Sequence, residues 1–195
     1  MKPETFYHIY NHANGYENLF WKEENYFYFL KRYANFITPI ADTYAYCLMP
    51  NHFHFVLRIK SIEDVEITFG KFETFQKFEA RISKQFSNLF SSYTQSLNKM
   101  YGRKGSLFIP NFKRREVDNS QYFMTLVHYI HANPVHHGFE KRIEDWQFSS
   151  FPSLISNNIS LLKRKEVLEW FNGKDEFIKY HQQPIFPKLD LDFEL

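Results

Sequence analysis

The hydrophobic pattern of this chain opens with period two. Residues 5–12 alternate and are rich in β-branched and aromatic side chains, which predicts a strand closed by a turn at Asn14-Gly15. Over residues 21–37 the period changes. Tyr26, Phe29, Leu30, Tyr33 and Phe36 recur at three and four, the spacing of a helix with one buried face. Residues 42–49 and 52–60 predict two strands joined by a tight turn at Pro50-Asn51. The acidic, weakly patterned stretch 61–71 reads as a loop or insertion. Phe75, Phe78, Ile82, Phe86, Leu89, Phe90, Tyr93 and Leu97 then place a long helix within 72–100, ended by Gly102 and Gly105. Residues 106–117 read as extended, with Pro110 interrupting them.

The order β-α-β-β-α-β is the split pattern of an α+β, ferredoxin-like or RRM-like fold, an antiparallel sheet with helices on one face. The first and third strands are central, and the second face is expected to be open. A further helix follows, capped by Asp118 or Asn119 with Gln121 placed for a capping box. It runs to about Ala132 and stops at Pro134 and Gly138. Residues 1–151 form one predicted domain and 152–195 a helical extension and tail, with short amphipathic segments around Val167–Phe171 and Phe177–Tyr180.

Composition and charge add four constraints. With 23 Phe and 13 Tyr, the chain has rings enough both for a core and for stacking on bases, and the core claims most of them. Cys47 is the single cysteine, so neither an internal disulfide nor a thiolate metal cluster is available. No run of about 18 apolar residues and no signal-peptide pattern is found, so a cytoplasmic protein with no membrane partner is expected. A net charge of +2 does not announce a polyanion partner, and its distribution is more informative. Lys99, Arg103, Lys104, Lys113, Arg114 and Arg115 cluster with no acid among them, whereas the segment from Asp190 onward is acidic.

The chemistry concentrates in two short segments. On the 52–60 strand, His52, His54, Val56 and Arg58 share one face, and Phe53, Phe55, Leu57 and Ile59 the other. Two imidazoles on a strand backed by an apolar face form a rigid two-nitrogen ligand for a divalent metal. On the helix after the sheet, Phe123, Leu126, Val127 and Ile130 make the apolar stripe. Tyr129 lies about 110° round from its centre. Asn133, four residues on, projects beside Tyr129 and can offer an amide oxygen as a third ligand. A tyrosine beside such a metal can attack a phosphodiester and retain the bond energy as phosphotyrosine. His128, His131, His136 and His137 on the same helix read as a basic, DNA-facing surface rather than a second metal site.

These segments resemble a known family. Cys47-Leu48-Met49-Pro50-Asn51-His52-Phe53-His54 closely resembles the LMPNHxH segment of single-tyrosine HUH transposases. Tyr129-Ile130-His131-Ala132-Asn133-Pro134-Val135-His136-His137-Gly138 resembles their YIxxNPVxxG segment. Lys104-Gly105-Ser106-Leu107-Phe108 with Phe112-Lys113-Arg114, Trp146-Gln147-Phe148-Ser149-Ser150-Phe151, and the opening Tyr7-His8-Ile9 with Asn11 and Phe20 follow the family in order over residues 5–151. Asn111 stands where the family often carries a basic residue. Asparagine rather than glutamine four residues after the tyrosine resembles the branch called REP-associated tyrosine transposases. The resemblance implies Tyr129 as nucleophile; His52, His54 and Asn133 as ligands of Mg2+ or Mn2+; a single-stranded DNA hairpin as substrate; and action as a monomer. Arg103, Lys104, Lys113, Arg114 and Arg115 are then expected to hold the DNA backbone, with Lys99 extending that track. The alternative is a domesticated, non-catalytic DNA- or RNA-binding module that uses an RRM-like sheet.

Overall fold

A computed structural model describes residues 1–184, so the acidic run from Asp190 lies outside the described residues. Four strands, β1 (Phe6–His12), β2 (Ala41–Leu48), β3 (His52–Ile59) and β4 (Lys113–Glu116), form one antiparallel sheet in the order β2-β3-β1-β4. The first and third strands are central, as the pattern predicts. Helix α1 (Glu23–Ile37) and the 27-residue α3 (Phe75–Tyr101) pack on one face. There Phe53, Phe55, Leu57, Ile59 and Ile9 meet Phe29, Ile37, Phe86, Leu89 and Tyr93 in a core with almost no exposed atoms. Gly102 ends α3 with φ 63°, and its N–H donates to the Asn98 carbonyl, a left-handed cap that suits a residue without a Cβ.

Two elements differ from expectation. The acidic stretch after β3 is a helix, α2 (Ile62–Phe69), capped by the Ser61 hydroxyl accepting from the Asp64 N–H. Glu63 and Asp64 are its favourable first turn, where carboxylates complement the helix dipole, and Val65 is its one buried side chain. So little burial leaves a weak period. The helix after the sheet, α4 (Ser120–His136), is capped by Asn119, so Gln121 falls outside the capping-box position. It also runs through Pro134 instead of stopping there. Pro134 lies in the last turn, and Phe139 and Glu140 both donate to its carbonyl before Gly138 (φ 71°) turns the chain.

The second face of the sheet is not open. Tyr10, Tyr44, Ala45, Cys47 and Val56 on that face are buried with Phe123, Leu126, Val127 and Ile130 of α4. Leu154 of α5 (Phe151–Ile155), Val167 of α6 (Arg164–Trp170) and Phe177 of α7 (Lys174–His181) close the same core. Ordinary sandwich logic explains this: Tyr44, Cys47 and Val56 would otherwise leave a large apolar patch in water. The Trp-x-x-Ser-Ser segment has a matching role along the outer edge of β2. Leu48 N–H donates to the Phe148 carbonyl, Ser150 N–H to the Tyr46 carbonyl, and Trp146 Nε1 to the Leu48 carbonyl, at 2.9–3.0 Å.

Phe177 is fully buried against Phe151 and Phe171 although it lies far beyond the last strand. Phe177→Ala should therefore cost about 3–5 kcal/mol. Urea unfolding followed by far-UV dichroism measures it; a change below about 1 kcal/mol would show that the C-terminal helices do not share the sheet's core.

Candidate active site

Strand alternation sets the floor of the site. Residues paired across neighbouring strands point to the same face, so the register gives rows of side chains. One row is Lys113, Tyr10, His54 and Cys47; another is Arg115, His8, Val56 and Ala45; His12 and His52 form a third. The β2–β3 loop fixes where the third row sits. Pro50, with no N–H of its own, accepts through its carbonyl from Leu19 and Phe20, and Asn51 accepts from the Ala13 N–H. The Asn51 side-chain oxygen lies 2.8 Å from His52 Nδ1 and holds that ring.

Helix α4 supplies the roof. His52 Nε2 and Asn133 Oδ1 are 3.0 Å apart. The Tyr129 ring is 6.0 Å from the His54 ring, and the His54 and His52 rings are 5.2 Å apart. His54 is 4% exposed, Tyr129 6% and Asn133 1%, so the site is closed on most sides. The predicted residues Tyr129, His52, His54 and Asn133 thus come together from β3 and α4 of one chain.

The donor set fits a divalent cation. Two ligands of an octahedral ion with bonds near 2.1 Å stand about 3.0 Å apart, the separation of His52 Nε2 and Asn133 Oδ1. The buried Asn133 Nδ2 has no hydrogen-bond partner among the described residues, so the amide is oriented by its oxygen. Two imidazoles and an amide oxygen form a mixed nitrogen and oxygen donor set.

The predicted basic run divides. Lys113 and Arg115 stand on the same face of the sheet as His54, at its β4 edge. Arg114 pairs with Ile9 and stands on the opposite face. Lys104 and Lys99 are exposed beside the end of α3. Arg103 is largely covered and is engaged by Asn98 and by Glu17, an acid that sequence proximity did not reveal. The α4 histidines divide as well. His136 and His137 are exposed, with the His137 ring 5.2 Å from His52. His128 and His131 are buried and so do not form a DNA-facing surface. His131 Nδ1 lies 2.9 Å from His181 Nε2 of α7, and His131 Nε2 lies 2.7 Å from the Ser150 hydroxyl.

No protein-family model matches the chain. It is 24% identical over 113 residues to a Haemophilus influenzae protein described as a REP-associated tyrosine transposase, and 27% identical over 107 residues to an Escherichia coli REP-associated tyrosine transposase. A solved structure of a REP-associated tyrosine transposase bound to a REP hairpin superposes with TM-score 0.55 and 18% identity, covering 80% of this chain and 82% of that one. The chain resembles REP-associated tyrosine transposases. The matches cover 56% and 55% of this chain and 58% and 52% of the two curated relatives, so the chain spans just over half the length of each. The likeness to the solved REP-associated tyrosine transposase is one of fold. No helix among the described residues is long and apolar enough to cross a membrane.

Sequence reasoning gave no role to three residues that line the site: His8, Tyr10 and His12. Their signal was present, since they alternate on β1 as His52 and His54 do on β3. His8 Nε2 lies 3.0 Å from His54 Nδ1, and the His12 and His52 rings stack at 5.8 Å. Burial dominates the electrostatics. It lowers His8 to about 3, helped by the Arg115 charge, and His52 to about 4, against a hydrogen bond to the Asn133 side-chain oxygen that works the other way. It lowers His128 to about 4 and His181 to about 3, and holds His54 and His131 well below the usual range.

These histidines are neutral when folded and protonate near pH 6.5 when unfolded. The unfolded chain therefore binds more protons below that pH. Stability should fall as pH drops from about 6.5 to about 4, by up to about 1.4 kcal/mol per pH unit for each such group. Urea midpoints that are the same at pH 7 and pH 5 would contradict neutral, buried imidazoles.

Proposed function

We propose that this chain is a metal-dependent, single-stranded DNA endonuclease and strand transferase that acts on hairpin-forming DNA, with Tyr129 as nucleophile. The observation that carries this reading is the convergence of His52 Nε2 and Asn133 Oδ1 at 3.0 Å, with His54 and Tyr129 alongside. A strand and a helix far apart in sequence present a cation's ligands and a phenol to one point. The relatives' printed names and the hairpin bound by the structural neighbour support the substrate class.

In this reading His52, His54 and Asn133 hold a divalent cation, Mn2+ or Mg2+. When bound, it withdraws charge from the non-bridging oxygens of a phosphodiester. The chain's own residues do the rest. Tyr129 Oη bonds to phosphorus as the bond from phosphorus to the 3′-oxygen breaks. The phenolic proton is released, the departing oxygen takes one up as a 3′-hydroxyl, and the 5′ side remains as phosphotyrosine. A 3′-hydroxyl attacking that linkage rejoins DNA and returns the phenol, with no external energy source. Burial of Tyr129 between α4 and the sheet limits water at the linkage, which favours rejoining over hydrolysis. Every ligand and the nucleophile come from one chain, which fits a monomer acting in cis. The reading as a non-catalytic RRM-like module is weakened by the covered second face, which lacks the open aromatic platform such modules use.

Tyr129→Phe should abolish an SDS-stable adduct with a labelled DNA hairpin in Mn2+ while retaining hairpin binding, because the change deletes one oxygen and keeps the ring. An adduct of undiminished yield would remove Tyr129 from the chemistry.

Lys113 and Arg115 flank the site on its own face and are exposed. Replacing both with Ala should weaken hairpin binding and reduce the slope of log K against log salt by about 1.4–1.8, the loss of two phosphate contacts. Arg114→Ala, on the opposite face, should change the slope less. Equal effects would mean that the DNA does not follow the site face.

A further inference from the structure

We propose that His8 is a positioning residue for the metal site: its Nε2 accepts the Nδ1–H of His54 and so leaves His54 Nε2 for a divalent cation. The inference rests on the metal reading given above and extends it to a residue outside the ligand set.

The geometry is specific. His8 Nε2 and His54 Nδ1 are 3.0 Å apart between adjacent central strands, with both side chains on the site face. His8 is completely buried and its ring lies against Tyr10 at 4.5 Å, so it has one orientation to offer. A neutral imidazole has one donor and one acceptor nitrogen. A single proton therefore occupies the contact, on one ring or the other. Were it on His8, His54 would carry its proton on Nε2 and would have no lone pair for a cation. With the proton on His54 Nδ1, Nε2 is the acceptor, the form a metal ligand requires.

Two further observations favour a working role over a packing one. His8 Nδ1 is buried without a hydrogen-bond partner among the described residues, a cost of about 1–3 kcal/mol that valine or leucine would avoid. Its neighbours on the face, Val56 and Ala45, show that apolar side chains fit there. The acceptor is also uncharged. Ligand histidines often donate to a carboxylate, but a carboxylate here would place negative charge beneath the phosphodiester that the site is proposed to bind. An imidazole sets the tautomer without that repulsion.

The test uses the full chain and Mn2+ alone. Calorimetric titration should show His8→Leu binding Mn2+ about 10- to 100-fold more weakly than the unmodified protein. His8→Gln, whose side-chain oxygen can accept the same N–H, should retain most of the affinity. In metal-free protein labelled with 15N-histidine, NMR should find His54 protonated at Nδ1 and His8 unprotonated at Nε2. A folded His8→Leu variant with undiminished Mn2+ affinity, or a His54 protonated at Nε2, would overturn the proposal. If His8→Leu does not fold, the tautomer measurement on the unmodified protein decides alone. A protein that binds no Mn2+ yet holds its proton on His54 Nδ1 would instead remove the metal from the proposed function and leave His8 as the residue that sets the tautomer.

Discussion

The seating of α4 on the second face of the sheet is the constraint on which the site depends, and a chain of neutral hydrogen bonds fixes it. His181 bonds the Phe177 carbonyl through Nδ1, which must therefore carry the proton, so its Nε2 can only accept. His131 then donates from Nδ1 and accepts at Nε2 from the Ser150 hydroxyl, whose oxygen accepts the Tyr46 N–H of β2. The Ser150 hydroxyl is also 3.2 Å from the Tyr46 carbonyl, and donation runs in one direction from the Tyr46 N–H of the sheet through Ser150 and His131 of α4 to His181 and the Phe177 carbonyl of α7. The apolar packing around Phe123, Leu126 and Ile130 supplies most of the burial energy but tolerates sliding. The polar relay has a single register, and so places Asn133 opposite His52.

Burial and polarity work against each other around this helix. Six histidines of α4, α7 and the strands are held neutral by the same exclusion of water that makes the fold compact. Neutral imidazoles are the form in which a metal can be ligated. Exposed positive charge on the site face stands at its β4 edge, on Lys113 and Arg115. In the proposed reading, the neutral, buried centre serves the chemistry and its cationic border the recognition of DNA.

Much of this was legible in the sequence. The alternation at His52-Phe53-His54 and the spacing from Tyr129 to Asn133 placed the site residues on the correct faces of the correct elements, because strand and helix periods are local properties. The strand order followed from the element order. What escaped notice was non-local. Helix α2 was hidden because a helix that buries only Val65 has almost no period. The covered second face was hidden because its lid comes from residues 123–177, and no local signal in Tyr44 or Val56 says whether helix or water lies opposite. The local pattern of His128 and His131 reads as surface because the partner His181 is 50 residues from His131. Arg103 reads as available because Glu17 is 86 residues away.

The arrangement along β2 has a consequence for how copies of this chain meet. A sheet ordinarily ends in rows of unpaired backbone groups that invite another strand. Here the outer side of β2 is matched by the chain itself, through an antiparallel bridge from Cys47 to Ser149 and a parallel one from Thr43 to Leu162. The other margin is β4, four residues long and composed of Lys113, Arg114, Arg115 and Glu116. One border is occupied and the other is short and densely charged. The sheet is thereby guarded at both margins against edge-to-edge addition of another strand.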